Sequence, residues 1–438
     1  MNAIARFFEF EKVDTSVRAE VIGGATTFVT MAYIIAVNPG ILSQAMGQEL
    51  FPELVAATCL SAALATLIMG IGANYPFALA PGMGLNAFFT FSVVLGMGVR
   101  WDLALSVVLA AGLLFVVLSV VRVREVLIHA VPTGLKHATA AGIGLFIAFI
   151  GLKNAGVIVS NEATLVSLGN LHSGSAALSL VGLVATAVLM TRGFKGAILI
   201  GVLGVTAAAI VVGVSEAPLA IVGMPVWPDH LFGKAIENLH LAFNPALITV
   251  VFAFLFVDLF DTMGTLVGLS QRSGFLDHQG RLPRANRTLL ADSLGTVGGA
   301  LFGTSPVTTY IESASGIAEG ARTGLSSVVV AVLFLVSLFL TPLIEAIPVF
   351  ATAPALIVVG VLMASSVTRI HWDDMSDAVP AFMTILVMPL TFSIAHGVAA
   401  GIVTYPIVKR LSGKGNDVHI LIDVLAVVFI GRYIFLAP

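Results

Sequence analysis

Charge is scarce in this chain. Of its 438 residues only 10% are Asp, Glu, Lys or Arg, against roughly 25% in a typical soluble domain, which excludes a soluble protein with a large core. Cysteine is almost absent: Cys59 stands alone, so an intrachain disulfide, a CxxC motif and a thiolate metal site are excluded. The alternating ten-residue segments of a membrane β-barrel are missing too. There is no P-loop, dinucleotide fingerprint, HExxH pair or catalytic serine elbow. No enzyme activity, cofactor, metal site or nucleic-acid partner is therefore expected. The polar start "MNAIARFFEFEKVDTSVRAEV" has no cleavage-like site and does not read as a signal peptide.

What is present is apolar length. Hydrophobic residues make up 58% of the chain, in runs of about 20 residues from end to end, the length that spans a bilayer as a helix. Twelve such runs lie between residues 20 and 366, and two or more further crossings are expected within 379–436. The fold class is an all-α polytopic membrane protein with the lipid bilayer as its partner. Basic residues alternate between short links. Arg6, Lys12, Arg18, Arg122, Arg124, Arg192, Lys195, Arg272, Arg281, Arg284, Arg287, Arg322 and Arg369 fall on one side. The other side has little beyond Arg100, Lys153 and Lys234. The positive-inside rule places the N-terminus in the cytoplasm. Lys409, Arg410 and Lys414 join that side if an even number of spans precedes them, and 420–436 either spans or lies on the surface.

The two halves repeat one another. "GANYPFALAPGMGLNAFF" (72–89) and "GTSPVTTYIESASGIAEG" (303–320) each follow a small-residue helix and each carry a Gly, a Pro and a short extended stretch before the next apolar segment. Non-helical backbone at membrane depth is tolerated only where protein or a watery cavity satisfies it. Paired interruptions of this kind mark the substrate site of many transporters. The division is a first repeat over 1–215, a linker at 216–244 that is partly amphipathic, and a second repeat over 245–438. Gly295, Gly299 and Gly303 make a small face that lets another helix approach closely.

Against that apolar background a few carboxylates stand out. Asp258 and Asp261 interrupt "NPALITVVFAFLFVDLFDTMGTLVG" (244–268). Asp258 falls about 20 Å from the Asn244 end, and the i,i+3 spacing turns both acids toward one face. An ionised acid at a helix centre costs several kcal/mol, so such residues face a cavity and serve function; Asp261, nearer the helix end, could equally reach water. Glu312 lies six residues past Pro306, where the extended stretch should become a half-helix with free N–H groups. Facing Asp258 there, it would form a buried pair of acids. Low dielectric and a second acid both disfavour the ionised form, which suits a proton carrier. In the first half, Gly82 and Gly84 would let a ligand approach the backbone, and Asn86 offers a donor and an acceptor. Glu319, Lys136, His137 and His396 have ordinary helix-end or interior readings. "TRIHWDDMSDA" (368–378) reads as a solvated cytoplasmic turn.

These segments resemble a known family. "GATTFVTMAYIIAVNP" (24–39), "NYPFALAPGMGLNAFF" (74–89), "GIGLFIAFIGLKNAG" (142–156), "VDLFDTMGTLVG" (257–268) and "GTSPVTTYIESASGIAEGARTG" (303–324) are similar to the AzgA-like adenine, guanine and hypoxanthine permeases of the xanthine/uracil permease superfamily. The resemblance implies fourteen spans in two inverted seven-span repeats, with core and gate domains and the third and tenth spans broken into strand plus half-helix. It implies a purine base held by Asp258, Glu312, Gly84 and Asn86, and proton-coupled uptake through the inner membrane with Glu312, Asp258 and Asp261 as proton sites. A homodimer is permitted. The alternatives are an anion transporter, which two acids would oppose, and a sodium-coupled carrier, since carboxylates and carbonyls also bind Na⁺.

Overall fold

The structure is a computed structural model that describes residues 3–13, 15–121, 130–277 and 282–435. Arg122, Arg124 and Arg281, counted above for topology, lie outside the described residues. Among those described, eight helical stretches are long and apolar enough to cross a membrane: Val17–Met46, Gln48–Ala73, Trp101–Val120, Thr133–Asn154, Gly174–Thr191, Leu247–Ser270, Gly324–Glu345 and Val349–Arg369. Shorter apolar helices cover Met83–Gly96, Ala197–Val211, Met375–Thr391 and Ile420–Gly431. The chain is a mostly helical, multi-pass membrane protein, as its composition requires.

The elements around the site are α1 (Val17–Met31), α2 (Ile34–Met46), α3 (Phe51–Ile68), β1 (Leu79–Pro81) and α4 (Met83–Ala87), continued by a π-helical run Phe88–Gly96. Then follow α5 (Thr133–Asn154), α6 (Pro245–Ser273), α7 (Ala285–Phe302), β2 (Val307–Thr309), α8 (Ser313–Ala318), α9 (Gly324–Ser337) and α10 (Val349–Ala364). After α11 (Met375–Thr391) and α12 (Ile394–Leu411), a last helix covers Ile420–Phe435. Strands β1 and β2 pair antiparallel with Leu79 opposite Thr309, Ala80 opposite Thr308 and Pro81 opposite Val307. Both strands are fully buried.

A two-stranded ribbon deep in an apolar protein leaves backbone groups that the ladder cannot satisfy. Side-chain hydroxyls fill the gap. Thr66 bonds both the N–H and the carbonyl of Leu79 at 2.9 Å, and Thr296 donates to the Val307 carbonyl at 3.0 Å. Ser313 accepts from the Ala78 N–H at 3.0 Å. Ser327 lies 2.8 and 3.0 Å from the carbonyls of Tyr75 and Phe77. The ribbon is thus stitched to α3, α7, α8 and α9.

Small residues set the helix crossings. A Cβ on Gly144 would come within 2.6 Å of the Gly360 carbonyl oxygen, so α5 and α10 touch backbone to backbone. Gly23 and Gly316 do the same for α1 and α8, and Gly70 and Gly324 for the end of the Gln48–Ala73 helix and α9. The Gly295 and Gly299 stripe admits a neighbouring helix, as expected, and a strand as well. It admits Val307 of β2, with Ala65 of α3 beside Gly295, while Gly303 is a left-handed helix cap at φ 94°. Glu20, fully buried, accepts from the N–H groups of Arg322 and Thr323 and from the Ser326 hydroxyl, and so anchors the start of α9 to α1.

The 368–378 turn is largely exposed, as a solvated turn should be, and two of its acids also enter an ion-pair cluster. Asp374 caps α11 through the Ser376 N–H and accepts from Lys414 Nζ at 2.7 Å. Buried Lys409 sits 3.0 Å from Asp377 and 3.8 Å from Asp374. The Lys414 hydrogen bond, followed by those from Ser376, holds the Asp374 carboxyl well below the usual carboxylate range. A depressed carboxyl contributes stability above its unfolded value of about 4 and loses it as pH falls toward the folded value. The solubilised protein is therefore expected to lose thermal stability below pH 4, more steeply than Lys414→Met. Parallel melting curves for the two proteins would show that this pair does not act.

Candidate functional site

Helix α6 carries Asp258 and, one turn later, Thr262, both buried. The Thr262 hydroxyl is 2.8 Å from Asp292 Oδ2 on α7, 3.0 Å from Thr308 Oγ1 on β2 and 3.5 Å from Asp258 Oδ1. Thr296 on α7 lies 3.2 Å from Asp258 Oδ2, and Thr309 donates to Asp292 Oδ1 at 3.3 Å. Two buried carboxylates are thereby joined across α6, α7 and β2 by threonine hydroxyls.

Glu312 is the residue before α8, but its carboxylate does not cap that helix. It accepts instead from the Tyr33 hydroxyl at 2.6 Å, which ties it to the junction of α1 and α2. Asp261, partly exposed, lies within electrostatic reach of both Glu312 and Asp292. Tyr310, directly after β2, is within electrostatic reach of Glu312 and Asp261, and its hydroxyl donates to the Pro81 carbonyl at 2.5 Å. The acids singled out in the sequence are therefore gathered where α6 passes the paired strands.

The other half contributes Asn86 on α4. Its Nδ2 donates to Asn38 Oδ1 at 3.0 Å, while its own Oδ1 and the Thr90 hydroxyl one turn on are buried without a hydrogen-bond partner. Such orphans are rare in folded proteins and call for an explanation. The space beside Gly84 is filled: a Cβ there would lie 2.7 Å from Ile143 of α5. A Cβ on Gly82 would lie 2.7 Å from Thr308. In this conformation both glycines serve close packing.

The secondary candidates fall away from this cluster. Glu319 ends α8 and pairs with Lys195. Lys136 and His137 lie near the start of α5, and His396 in the first turn of α12 faces the Tyr433 ring at 5.8 Å. Phe88 packs edge-on against Phe254 at 4.7 Å.

The sequence reading missed Asp292, Tyr33 and Asn38. Asp292 had a usable signal, an acid inside the small-residue run "ADSLGTVGGALFG". Tyr33 and Asn38 had none, because Tyr and Asn are unremarkable in a membrane helix until a partner far away in sequence is known.

Comparison with known proteins places this geometry. The chain is 52% identical over its whole length to the putative permease MJ0326 of Methanocaldococcus jannaschii, covering 99% of that protein. It is 46% identical to the guanine/hypoxanthine permease PbuG of Bacillus subtilis, over 98% of this chain and 99% of the relative. With the adenine permease AdeQ of Escherichia coli it shares 42% identity over 98% of this chain and 95% of the relative. Among solved structures, the transmembrane domain of the cyanobacterial bicarbonate transporter BicA superposes with a TM-score of 0.62 at 17% identity, over 87% of this chain and 97% of that one. SLC26A9 does so with 0.61 at 12% identity, over 91% and 66%. At such identities the likeness is one of fold alone. The permease family (Xan_ur_permease) matches residues 18–399, so the chain belongs to that family and is a transporter, not an enzyme.

Proposed function

We propose that this protein is a proton-coupled symporter that imports purine nucleobases across the cytoplasmic membrane by alternating access. The observation that carries the reading is the group of carboxylates and hydroxyls beside the paired strands, buried Asp258 with Thr262 and Asp292, and partly buried Glu312 with Tyr33. Relatives named as guanine/hypoxanthine and adenine permeases support the substrate class.

A purine is a flat, largely apolar plate edged with N–H donors and ring acceptors. Asp258 and Glu312 accept from its N–H edge, Asn86 reads another edge, and α4 together with Gly84 closes one side. Pockets of this kind combine apolar walls with a few placed polar groups. The proton resides on Glu312, Asp258 or Asp261. The Thr262 hydroxyl has one hydrogen for three oxygens within 3.5 Å, so a proton on Asp258 or Asp292 adds a hydrogen bond without moving a heavy atom. An unneutralised carboxylate resists passage through the low-dielectric interior. Joint occupancy by base and proton removes that penalty and lets the loaded site turn inward.

In the same reading, the two strand–helix units are the broken third and tenth spans of a fourteen-span chain built from inverted repeats 1–215 and 245–438. The antiparallel pairing of β1 with β2 supports that symmetry, and the N-terminus is cytoplasmic by charge. An anion carrier on the same fold is disfavoured by acids at the site.

Uptake of radiolabelled adenine, guanine, hypoxanthine, xanthine and uracil into carrier-deficient cells at pH 5.5 and 7.5, with and without a protonophore, tests the proposal. Saturable purine uptake that the protonophore abolishes is expected. Purine uptake that follows a sodium gradient and ignores the protonophore would reject the coupling. No nucleobase uptake by protein verified in the membrane would reject the substrate.

A further inference from the structure

The orphaned Asn86 oxygen has a cause, and the cause lies in two residues outside the proposed site. Thr58 on α3 places its hydroxyl 2.6 Å from the Leu54 carbonyl one turn back. A carbonyl only accepts, so the single hydroxyl hydrogen of Thr58 is committed there, and toward any other group Thr58 acts as an acceptor. Asn38 on α2 approaches that oxygen at 2.8 Å, so the Asn38 group facing it is the NH₂. That turns Asn38 Oδ1 toward Asn86, 3.0 Å away, and the Asn86 group facing it must be Nδ2. Asn86 Oδ1 is left pointing the other way, buried and without a partner. The remaining neighbours of Asn38, Thr304 Oγ1 at 2.8 Å and Ser305 Oγ at 3.4 Å, are hydroxyls that can each donate or accept, so they do not set the direction. Thr58 does.

We infer that Asn38, held by Thr58, is a positioning residue that locks the Asn86 amide so that it presents its carbonyl oxygen, and that position 86 therefore selects ligands carrying a hydrogen-bond donor. This rests on the placement of Asn86 in the substrate site. Without the lock an asparagine amide adapts to donor or acceptor by flipping. With it, a ligand acceptor set against Asn86 meets a second acceptor, and a ligand with no donor there leaves a buried oxygen unpaired. Together with the carboxylates, the site becomes predominantly an acceptor surface, suited to the N–H edge of a heterocyclic base.

The test is competition against uptake of the preferred base by adenine, hypoxanthine, their singly N-methylated derivatives (each lacking one N–H) and their deaza analogues (each lacking one ring acceptor). In wild type, one N-methylated derivative should compete roughly tenfold to a hundredfold more weakly than its parent, the cost of one unpaired buried acceptor. Thr58→Val frees both amides to flip. An N-methyl group offers no acceptor, so its penalty persists, but the preference between hypoxanthine and adenine, which present a donor and an acceptor at ring position 1, should shrink about tenfold. Thr58→Ser keeps the hydroxyl bonded to Leu54 and should restore it. Steric bulk is the same in every variant, so only the difference between Val and Ser is read. A wild-type preference between the two bases in the valine variant, or an equal loss of it in the serine variant, overturns the inference. Should the valine variant fail to reach the membrane, a structure of the wild type with base bound decides. An N–H facing Asn86 Oδ1 supports the lock, and a ring acceptor facing it refutes the lock. A base bound away from Asn86 refutes the proposed site instead.

Discussion

Replacing Glu312 with Gln should abolish concentrative uptake, with initial rates at pH 5.5 falling by about ten- to a hundredfold, the range for losing a hydrogen bond to a charged group. The substitution keeps the shape of the side chain and its place as an acceptor for the Tyr33 hydroxyl, 2.6 Å away in the native protein. What it removes is the capacity to ionise. If Glu312 carries the coupling proton, Glu312→Gln should still exchange internal for external base in preloaded vesicles while failing to accumulate it. If it chiefly holds the base, exchange and accumulation should fall together. Asp258→Asn should also cripple uptake, because its oxygens meet Thr262 and Thr296 within a shared network. Retention of wild-type accumulation by both variants would sink the proposed site while leaving the substrate class standing.

The second large effect is structural. A side chain at position 324 has no room, since its Cβ would collide with the carbonyl of Gly70, and backbone cannot swing aside as a side-chain tip can. Gly324 also begins α9, and its N–H donates to Asn74 Oδ1 at 2.7 Å, so the crossing is pinned on both sides. Overpacking usually costs 1–3 kcal/mol and more where nothing yields. Gly324→Val should cost roughly 3 kcal/mol or more, seen as a large drop in melting temperature or as failure to accumulate in the membrane. Gly72→Ala is the matched control, because nothing lies within 4 Å of a Cβ there. Similar melting of the two variants would show that this crossing is not as tight as its geometry demands.

Local sequence determined a great deal about this protein. Scarcity of charge and long apolar runs require a polytopic helical membrane protein, because no other arrangement satisfies so much apolar surface and its backbone. The short extended stretches "FALA" (77–80) and "VTTYI" (307–311), bounded by Pro or Gly, forecast the non-helical segments that became β1 and β2. Asp258, Asp261 and Glu312 stood out because an acid in an apolar run is costly enough to be informative alone.

The partners of these residues were decided only in three dimensions. Glu312 reads as an acid facing Asp258, and only the fold shows Tyr33, at the junction of α1 and α2, reaching it from 279 positions away. Gly295 and Gly299 read as a helix-packing stripe, and Ala65 of α3 does pack on Gly295, but that the strand residue Val307 fills the rest is visible only in the fold. Gly84 reads as room for a ligand, and only the fold shows that Ile143 packs against its Cβ side in this conformation. The direction of the Asn86 amide depends on a proton given to Leu54 by Thr58, which no local pattern encodes. Hydropathy is a property of segments and is legible one residue at a time. Hydrogen-bond direction is a property of pairs, and it is set only when the fold brings both members of each pair together.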